Sequence, residues 1–267
     1  MTDTPTHSHV LVQRDGDVAR VLLSRPDVHN AFDDKLVREL TVVLHELARD
    51  AHVRAVVLTG AGASFSAGAD MTWMRRMASA PEADNREDAL RLAELMRTLA
   101  FLPKPTIARV NGPAYGGGVG LVACCDIAIA VADARFALTE VKLGLVPAVI
   151  SPYVVDAIGA RNAVRLFQTA EMLDARAAQA IGLVHEVVAA DALDAAVTRE
   201  LDLLRKAGPE ALRAAKQLAQ RVAGRIEERR KLLDEENAGL IARLRVSEEG
   251  QEGLTAFLDK RKPRWLG

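Results

Sequence analysis

One stretch, Asn111 to Asp126 with the sequence NGPAYGGGVGLVACCD, limits most strongly what this chain can fold into. Three consecutive glycines, 116–118, remove every Cβ atom from a loop just before an apolar run that begins at Val119. A ligand can approach the amides of such a loop. If Val119 to Cys124 begins a helix, those amides lie at its N-terminus, where a negative oxygen is favoured. The stretch predicts an oxyanion or phosphate site or, as the plainer alternative, a tight turn between strand and helix.

The composition is that of an ordinary globular protein. The 267 residues are 49% hydrophobic and 27% charged, and the formal net charge of -1 gives no general attraction to nucleic acid or anionic membranes. No apolar run approaches the roughly 20 residues that span a bilayer, and the N-terminus does not resemble a signal peptide. The adjacent Cys124 and Cys125 resemble small core residues and suit a reducing compartment. We therefore expect a cytoplasmic protein without a membrane segment.

The segment before the glycine triplet predicts buried strands separated by helices. Alternating residues over 8–24 indicate two strands joined by a turn at Asp15-Gly16-Asp17, and Asp33 is suited to cap an amphipathic helix. The apolar segments 55–59 and 106–110 are typical of buried parallel strands. Between them, we expect a short helix after Asp70 and a mobile polar surface loop over 81–88.

A second loop of small residues, GAGASFSAGAD at 60–70, directly follows the predicted strand 55–59. One carboxylate, Glu140, ends the strand that is predicted after the glycine triplet. Two backbone N–H groups from separate loops can form an oxyanion hole, and a nearby carboxylate can then act as acid or base. Taken alone, Glu140 would be read as a surface residue at the end of a strand.

Several common catalytic motifs are absent from the sequence. Gly60-Ala61-Gly62 is not followed by the third glycine of a dinucleotide-binding fingerprint, and no Lys-Ser or Lys-Thr follows the glycines as in a P-loop. There is no G-x-S-x-G nucleophile elbow. The six histidines are scattered without metal-ligand spacing, so we expect no metal site.

Five segments together are similar to the enoyl-CoA hydratase/isomerase (crotonase) superfamily. The resemblance runs in register from about Val10 to Pro263. The segments are LSRPDVHNAFD, AVVLTGAGASFSAGAD, KPTIARVNGPAYGGGVGLVACCDIAIA, ARFALTEVKLGLVP and EGLTAFLDKRKP. The phrases GGGVGLVACCDIAIA and EVKLGLVPAVISPYV most resemble bacterial methylglutaconyl-CoA and isohexenylglutaconyl-CoA (gamma-carboxygeranoyl-CoA) hydratases.

This resemblance implies an α/β fold, a spiral of ββα units with a helical C-terminal region that drives trimer formation. Residues 1–205 would form the spiral core with the acyl-CoA site, and 206–267 the helical region. The expected assembly is a homotrimer or a hexamer made of two trimers. The ligand would be a coenzyme A thioester, so coenzyme A enters as part of the substrate and no separate cofactor is implied.

The resemblance also implies roles for individual residues. The amides of Ala67 and Gly117 match the oxyanion hole, and Glu140 matches a catalytic glutamate. The residues implied to contact the substrate or its coenzyme A are Arg25, Val28, Ala31, Ala67, Gly68, Ala69, Asp70, Trp73, Gly116, Gly117, Gly120, Phe257 and Lys260. Within that set, Arg25, Val28 and Ala31 would meet the nucleotide end. Trp73 is either an acyl-pocket wall or an ordinary core residue.

The chain departs from the two-glutamate hydratases at one position. Those enzymes carry a glutamate two residues after the glycine triplet and a second one twenty residues later. This sequence has Gly120 at the first place and Glu140 at the second. Because glycine can neither hold nor deprotonate water, Glu140 would have to perform the proton chemistry alone or with help from the substrate.

The leading hypothesis is reversible hydration of a 2-enoyl-CoA, with a branched glutaconyl-CoA of leucine/isovalerate or acyclic terpene catabolism as substrate. The first alternative is a Δ3-Δ2-enoyl-CoA isomerase that uses Glu140 alone. A noncatalytic acyl-CoA binder, or an RNA binder using the arginine-rich segment 221–230, is a lesser alternative. Glutamates interleaved with those arginines favour a solvated helix face over a nucleic-acid surface.

Overall fold

A six-stranded sheet forms the centre of the protein and a three-stranded sheet lies beside it. The computed structural model describes residues 9–267. The strands are β1 Val10–Asp15, β2 Val18–Leu23, β3 Ala55–Gly60, β4 Thr106–Val110, β5 Ala114–Tyr115, β6 Ile127–Val131, β7 Arg135–Ala137, β8 Leu173–Asp174 and β9 Glu186–Val188. The large sheet has the order β1-β2-β3-β4-β6-β9 and is parallel after the antiparallel β1-β2 pair. The small sheet has the order β5-β7-β8.

Ten helices within residues 9–267 surround these sheets. They are α1 Asp34–Arg49, α2 Met71–Ala78, α3 Glu82–Ala100, α4 Gly117–Cys124, α5 Ser151–Thr169, α6 Ala175–Ala180, α7 Leu193–Arg205, α8 Pro209–Val222, α9 Glu227–Val246 and α10 Glu248–Leu258. The last three make up the expected helical C-terminal region, and α9 packs along α3. In this part of the chain, no helix has both the length and the apolar character to cross a bilayer.

The elements before the glycine triplet follow the predicted pattern. Residues 10–23 form the predicted hairpin, and its turn contains Gly16 in the left-handed region at φ 58°. Position 8, where the predicted range begins, lies outside the described residues. The Asp33 carboxylate accepts a hydrogen bond of 2.7 Å from the Leu36 amide and caps α1. The buried apolar stripe of α1 consists of Leu36, Val37, Leu40, Val43, Leu44 and Leu47. Local capping and periodicity were sufficient to predict these elements.

The prediction of a mobile loop over 81–88 is wrong. Helix α3 begins at Glu82, and Asn85 and Asp88 are buried within it. The Asn85 side-chain amide donates hydrogen bonds of 3.0 Å to the carbonyls of Met77 and Ala80, which lie at the turn between α2 and α3. Polar residues normally signal exposure, but here Asn85 satisfies buried backbone carbonyls and Asp88 satisfies the side chains of Trp73 and Arg245.

Candidate active site

The two small-residue loops meet at one edge of the large sheet. They follow β3 and β4, which are neighbouring parallel strands, so both carboxyl ends reach the same edge. The Phe65 amide donates to the Pro113 carbonyl at 3.0 Å, and the Tyr115 amide donates to the Ser66 carbonyl at 2.9 Å. Gly68 permits the close approach, because a Cβ atom there would lie 2.8 Å from the Tyr115 carbonyl oxygen. The loops that the sequence singles out therefore form a single structural unit.

The glycine triplet turns the chain from β5 into α4. Gly116 has φ 48° and ψ -116°, and its amide donates to the Ala137 carbonyl at 2.9 Å. Gly117 is the first residue of α4, and a Cβ atom there would lie 2.7 Å from Cε2 of Phe32. Within residues 9–267, no hydrogen-bond acceptor is found for the Gly117 amide. The predicted helix N-terminus is confirmed, and the Gly117 amide is available to a ligand.

The amide of Ala67 is not available in the same way. It donates a hydrogen bond of 2.9 Å to the carbonyl of His29, which belongs to the turn before α1. A donor that already has an internal acceptor cannot also be aimed at a substrate oxygen without breaking that bond. The expectation that Ala67 supplies an oxyanion-hole amide is therefore wrong.

The available donor of this loop belongs to Ala69. A parallel bridge joins Ala69 to Phe32, in which the Phe32 amide donates to the Gly68 carbonyl at 2.6 Å and the Asp70 amide donates to the Phe32 carbonyl at 2.8 Å. Such a bridge uses the groups on either side of Ala69 and leaves its own N–H pointing away. The described residues contain no acceptor paired with this N–H. Ala69 and Gly117 are thus the two candidate amides.

Arg25 and Asp70 form an ion pair that anchors the Ala69 loop to the turn before α1. The Arg25 guanidinium donates to the Ala31 carbonyl at 2.6 Å and lies 3.1 Å from Asp70 and 3.2 Å from Asp33. The Asp70 carboxylate also caps α2, accepting a 2.8 Å bond from the Thr72 amide. These internal partners neutralise both charges, which argues against the expected contact of Arg25 or Asp70 with coenzyme A.

Glu140 reaches the site through the pairing of β5 with β7. The register places Tyr115 opposite Ala137, so the chain that leaves β7 brings Glu140 beside the glycine triplet. A Cβ atom on Gly116 would lie 3.2 Å from Oε1 of Glu140. Oε2 is fully buried, and no hydrogen-bond partner for it occurs in the described chain. Burial raises the pKa of Glu140 to about 7, so the group can give or accept a proton near neutral pH.

This pKa has a measurable consequence for stability. The folded protein binds the Glu140 proton up to about pH 7, whereas a glutamate with the ordinary pKa of 4.5 releases it earlier. The free energy of unfolding should therefore fall as the pH rises from about 4.5 to 7, by about 3 kcal/mol. Glu140→Gln should stabilise the protein above pH 7 and have little effect below pH 4.5. Urea titrations of both proteins at several pH values test this, and an equal effect at every pH would contradict it.

Gly120 faces a wall of apolar side chains. A Cβ atom at this position would lie 2.3 Å from Cγ2 of Ile150 and 3.3 Å from Cε of Met96. The space that a glutamate would need at position 120 is thus filled by residues from two other parts of the chain. Position 120 therefore carries no carboxylate and faces a closed, apolar surface. Glu140 supplies the carboxylate beside the glycine triplet.

We expect Gly120→Ala to destabilise the protein by about 1–3 kcal/mol, because the added methyl group overpacks a filled site. Urea unfolding measures this, and the loss should be smaller in an Ile150→Ala background, where the neighbouring side chain is shortened. Gly239→Ala in α9 is the matched control. Its nearest neighbour is the flexible Arg243 side chain at 3.2 Å, so helix propensity should make it neutral or stabilising. Equal or higher stability of Gly120→Ala would show that the site is not closed.

The remaining predicted contact residues divide by exposure. Val28, Phe257 and Lys260 are exposed, so a ligand can reach them, whereas Ala31 and Trp73 are buried. Phe257 and Lys260 lie at the end of α10, whose Gly253 packs against the backbone of Leu143 behind the Glu140 turn. A Cβ atom on Gly253 would lie 2.3 Å from the Leu143 carbonyl carbon.

Sequence reasoning missed Asn30, which organises the first loop. Its Oδ1 accepts from the Arg25 amide at 2.9 Å, and its Nδ2 donates to the carbonyls of Ala61 and Ser64 at 2.9 and 2.8 Å. Its backbone has φ 55°, a conformation that asparagine tolerates better than most residues. The asparagine after Pro26-Asp27-Val28-His29 was the available signal. Ile150 gave no such signal.

The two cysteines lie at the opposite end of α4. They line a cavity of about 590 Å³ together with Tyr153 and Arg230, away from Glu140. Both thiols are free, and burial raises the pKa of Cys125 to about 12 and that of Cys124 well above its usual range. The size of this cavity does not make it the reactive site, since it contains neither of the candidate amides nor the buried carboxyl.

Comparison with known proteins agrees with this geometry. Residues 13–267 match the family described as Enoyl-CoA hydratase/isomerase. The chain belongs to the enoyl-CoA hydratase/isomerase family. A crystal structure of an enoyl-CoA hydratase from Shewanella pealeana is 43% identical, with 97% of each chain covered and a TM-score of 0.80. These findings confirm the expected superfamily, the crotonase-type α/β fold and an enzyme of the enoyl-CoA hydratase type.

Two further family members are similar over nearly their whole lengths. The short-chain-enoyl-CoA hydratase of Clostridium acetobutylicum is 33% identical over 96% of this chain and 96% of its own. The 2,3-dehydroadipyl-CoA hydratase of Escherichia coli is 32% identical over 97% of this chain and 99% of its own.

Proposed function

We propose that this enzyme catalyses reversible syn hydration of a 2-enoyl-CoA thioester. The observation that carries the proposal is the Glu140 carboxyl, whose Oε2 is buried without a partner and whose pKa is about 7, beside a helix N-terminus with an unpaired amide. The hydratase names of the Clostridium and Escherichia relatives support the same reaction. Coenzyme A is the carrier portion of the substrate.

In the proposed mechanism the Ala69 and Gly117 amides bind the thioester oxygen. The Glu140 carboxylate accepts a proton from water while the water oxygen forms a bond to C3. Electrons of the C2–C3 double bond move to the thioester oxygen, and the two N–H groups stabilise the resulting enolate. Glu140 then returns the proton to C2, which restores the carboxylate. Because one carboxyl handles both steps, the hydroxyl and the hydrogen add to the same face.

For the acyl group we propose a branched glutaconyl-type thioester, as in leucine/isovalerate or acyclic terpene catabolism. The Escherichia relative supports this class, since the name 2,3-dehydroadipyl-CoA describes an enoyl thioester with a distal carboxylate. Three cations lie close in sequence to the site residues, and all three are exposed: Arg75, Arg76 and Lys142. Arg76 lies 3.2 Å from Asp34. None of the three is buried, as a cation dedicated to binding a substrate carboxylate would be.

One observation favours Δ3-Δ2-enoyl-CoA isomerisation as the second candidate. Ile150 and Met96 fill the space beside Gly120, so a second carboxylate for water is missing. Isomerisation needs a single carboxyl to take a proton from C2 and return it at C4. The geometry of Glu140 is compatible with this transfer as well.

A steady-state panel of crotonyl-CoA, 3-methylglutaconyl-CoA and a 3-enoyl-CoA separates these possibilities. Hydration consumes the ultraviolet absorbance of the conjugated thioester, whereas isomerisation of a 3-enoyl substrate creates it. We expect the highest kcat/KM for loss of absorbance with 3-methylglutaconyl-CoA. Turnover of the 3-enoyl thioester alone would replace the hydratase proposal with the isomerase, and turnover of neither class would refute both.

We also propose that copies of the chain associate as a homotrimer or as a hexamer of two trimers. Helix α8 buries none of its residues in the single chain. Its apolar residues Leu218 and Val222 are 51% and 79% exposed. Apolar residues left uncovered on an amphipathic helix favour contact with another protein surface. Sedimentation velocity tests the assembly, and a monomer at micromolar concentration would contradict it.

The RNA-binding alternative is weakened by ion pairs in the arginine-rich segment. Arg225 lies 3.2 Å from Asp156, and Arg230 also pairs with Asp156 and lies over the Tyr153 ring. Cations that already have acidic partners contribute less to binding of a phosphate backbone.

A further inference from the structure

A polar cluster holds the indole of Trp73. The Trp73 side chain lies on α2 and is 5% exposed, and its Nε1–H donates a 3.0 Å hydrogen bond to Oδ1 of Asp88 on α3. The other oxygen of Asp88 lies 3.3 Å from Nη1 of Arg245 on α9. The Arg245 guanidinium also lies over the Trp73 ring, 5.6 Å from its centroid. We call Asp88 and Arg245 the indole clamp.

Helix α2 is held at both ends, and the indole clamp contacts its C-terminal end through Asn85. At the N-terminus, the Asp70 carboxylate caps the helix and pairs with Arg25. At the C-terminus, Asn85 donates to the carbonyls of Met77 and Ala80 and accepts a 3.2 Å hydrogen bond from Arg245. Helix α2 is therefore fixed at both ends and at Trp73 between them. Its first residue follows the Ala69-Asp70 loop directly.

The same cluster reaches the side of the site that carries Glu140. Gln251 on α10 donates to the carbonyls of Ala78 and Arg245 at 2.9 and 2.7 Å. Helix α10 in turn packs behind the Glu140 turn, where a Cβ atom on Gly144 would lie 2.6 Å from the Glu249 carbonyl oxygen. The α9–α10 joint thus sets the position of α2 relative to the turn that begins with Glu140.

Helix α3 brings the indole clamp and the site wall together. Asp88 and Met96 lie on α3, and Met96 is one of the residues that close the space beside Gly120. A displacement of α2 relative to α3 would therefore alter the surface between the Ala69 loop and Met96. In the proposed reaction the thioester carbonyl lies at the Ala69 and Gly117 amides, so the acyl chain attached to its carbon begins beside this surface.

We propose that Asp88 and Arg245 are positioning residues that hold Trp73 and α2, and that this ion pair thereby sets the acyl-chain discrimination of the enzyme. The proposal rests on the acyl-CoA site of the proposed function. The side chains of Asp88 and Arg245 are 4% and 15% exposed, so removal of the Asp88 charge leaves a largely buried Arg245 without this carboxylate. Loss of one member of a buried pair is far more disruptive than loss of both.

The test compares single and paired removal of these charges. Asp88→Asn keeps an oxygen for the Trp73 N–H but removes the charge that faces Arg245. Calorimetric titration with the unreactive thioesters butyryl-CoA and octanoyl-CoA gives a ratio of affinities that does not depend on turnover. We expect Asp88→Asn to change this ratio by about fivefold or more and Asp88→Asn/Arg245→Gln to restore it to within about twofold.

Arg91→Gln is the matched control. Arg91 is the other cation near Asp88, at 3.7 Å, but its side chain is 48% exposed, so its removal should leave the ratio within about twofold of the native value. The chain has two tryptophans, and Trp265 is the exposed one. In a Trp265→Phe background the emission of Trp73 should shift in Asp88→Asn and return in the double variant.

The outcomes distinguish a positioning role of the indole clamp from a general effect on protein stability. A lowered melting temperature of Asp88→Asn with native emission and a native ratio would overturn the proposal, as would a double variant no better than the single one. If Asp88→Asn does not fold, Trp73→Phe keeps an aromatic ring and loses the N–H together with part of the indole volume. A native ratio in that variant would also overturn the proposal. Absence of hydration together with the expected shifts would refute the proposed function and leave the clamp supported.

Discussion

Replacement of Glu140 by glutamine is expected to lower kcat by a factor of about 10² to 10⁴, the range that general acid-base catalysis contributes. Glutamine has nearly the same shape and still fits beside Gly116, but it cannot accept a proton from water or return one to C2. The kinetic assay follows the absorbance of a 2-enoyl thioester. The affinity for butyryl-CoA should stay within about threefold of the native value, because Glu140 does not hold the coenzyme.

The control for this substitution is Glu228→Gln, since Glu228 is exposed on α9 and the change removes the same charge from the surface. It should leave kcat unchanged. In the native enzyme, kcat/KM for hydration should rise as the pH increases through about 7, because the mechanism begins with the Glu140 carboxylate and burial raises the pKa of that group. Retention of hydration by Glu140→Gln would refute the assignment of Glu140 as the proton carrier.

The second large effect is expected at the Ala69 amide. Replacement of Ala69 by lactic acid during synthesis converts its peptide N–H into an ester oxygen and changes no side chain. Because this N–H has no internal acceptor, stability should change little, while kcat should fall by about 10² to 10³, as it does when one oxyanion-hole donor is lost. The experiment measures kcat and the urea unfolding midpoint of the same preparation.

The same replacement at Ala67 is the matched comparison. The Ala67 amide donates to the His29 carbonyl, so its loss should lower the free energy of unfolding by about 1 kcal/mol and have the smaller effect on kcat. The reverse pattern, with the larger kinetic loss at position 67, would return the oxyanion-hole role to Ala67.

Local sequence signals predicted the elements that carry the site. The Asp33 cap, the apolar stripe of α1 and the runs 55–59 and 106–110 all formed as expected, because each depends on residues that are close in sequence. The resemblance then placed both loops and Glu140 in one site. Local reasoning failed over 81–88, where polarity suggested a loop although Asp88 is buried by contacts with Trp73 and Arg245.

The sequence by itself determined the family, the two small-residue loops and the single carboxylate, since motifs and backbone freedom are properties of neighbouring residues. Tertiary structure alone decided which amide is free, because pairing of Ala69 with Phe32 directs the Ala67 N–H to His29. It also decided what replaces the missing glutamate, since Ile150 lies thirty positions from Gly120 and meets it only after folding. Hydrogen-bond direction and packing depend on contacts between distant segments, and no local pattern specifies them.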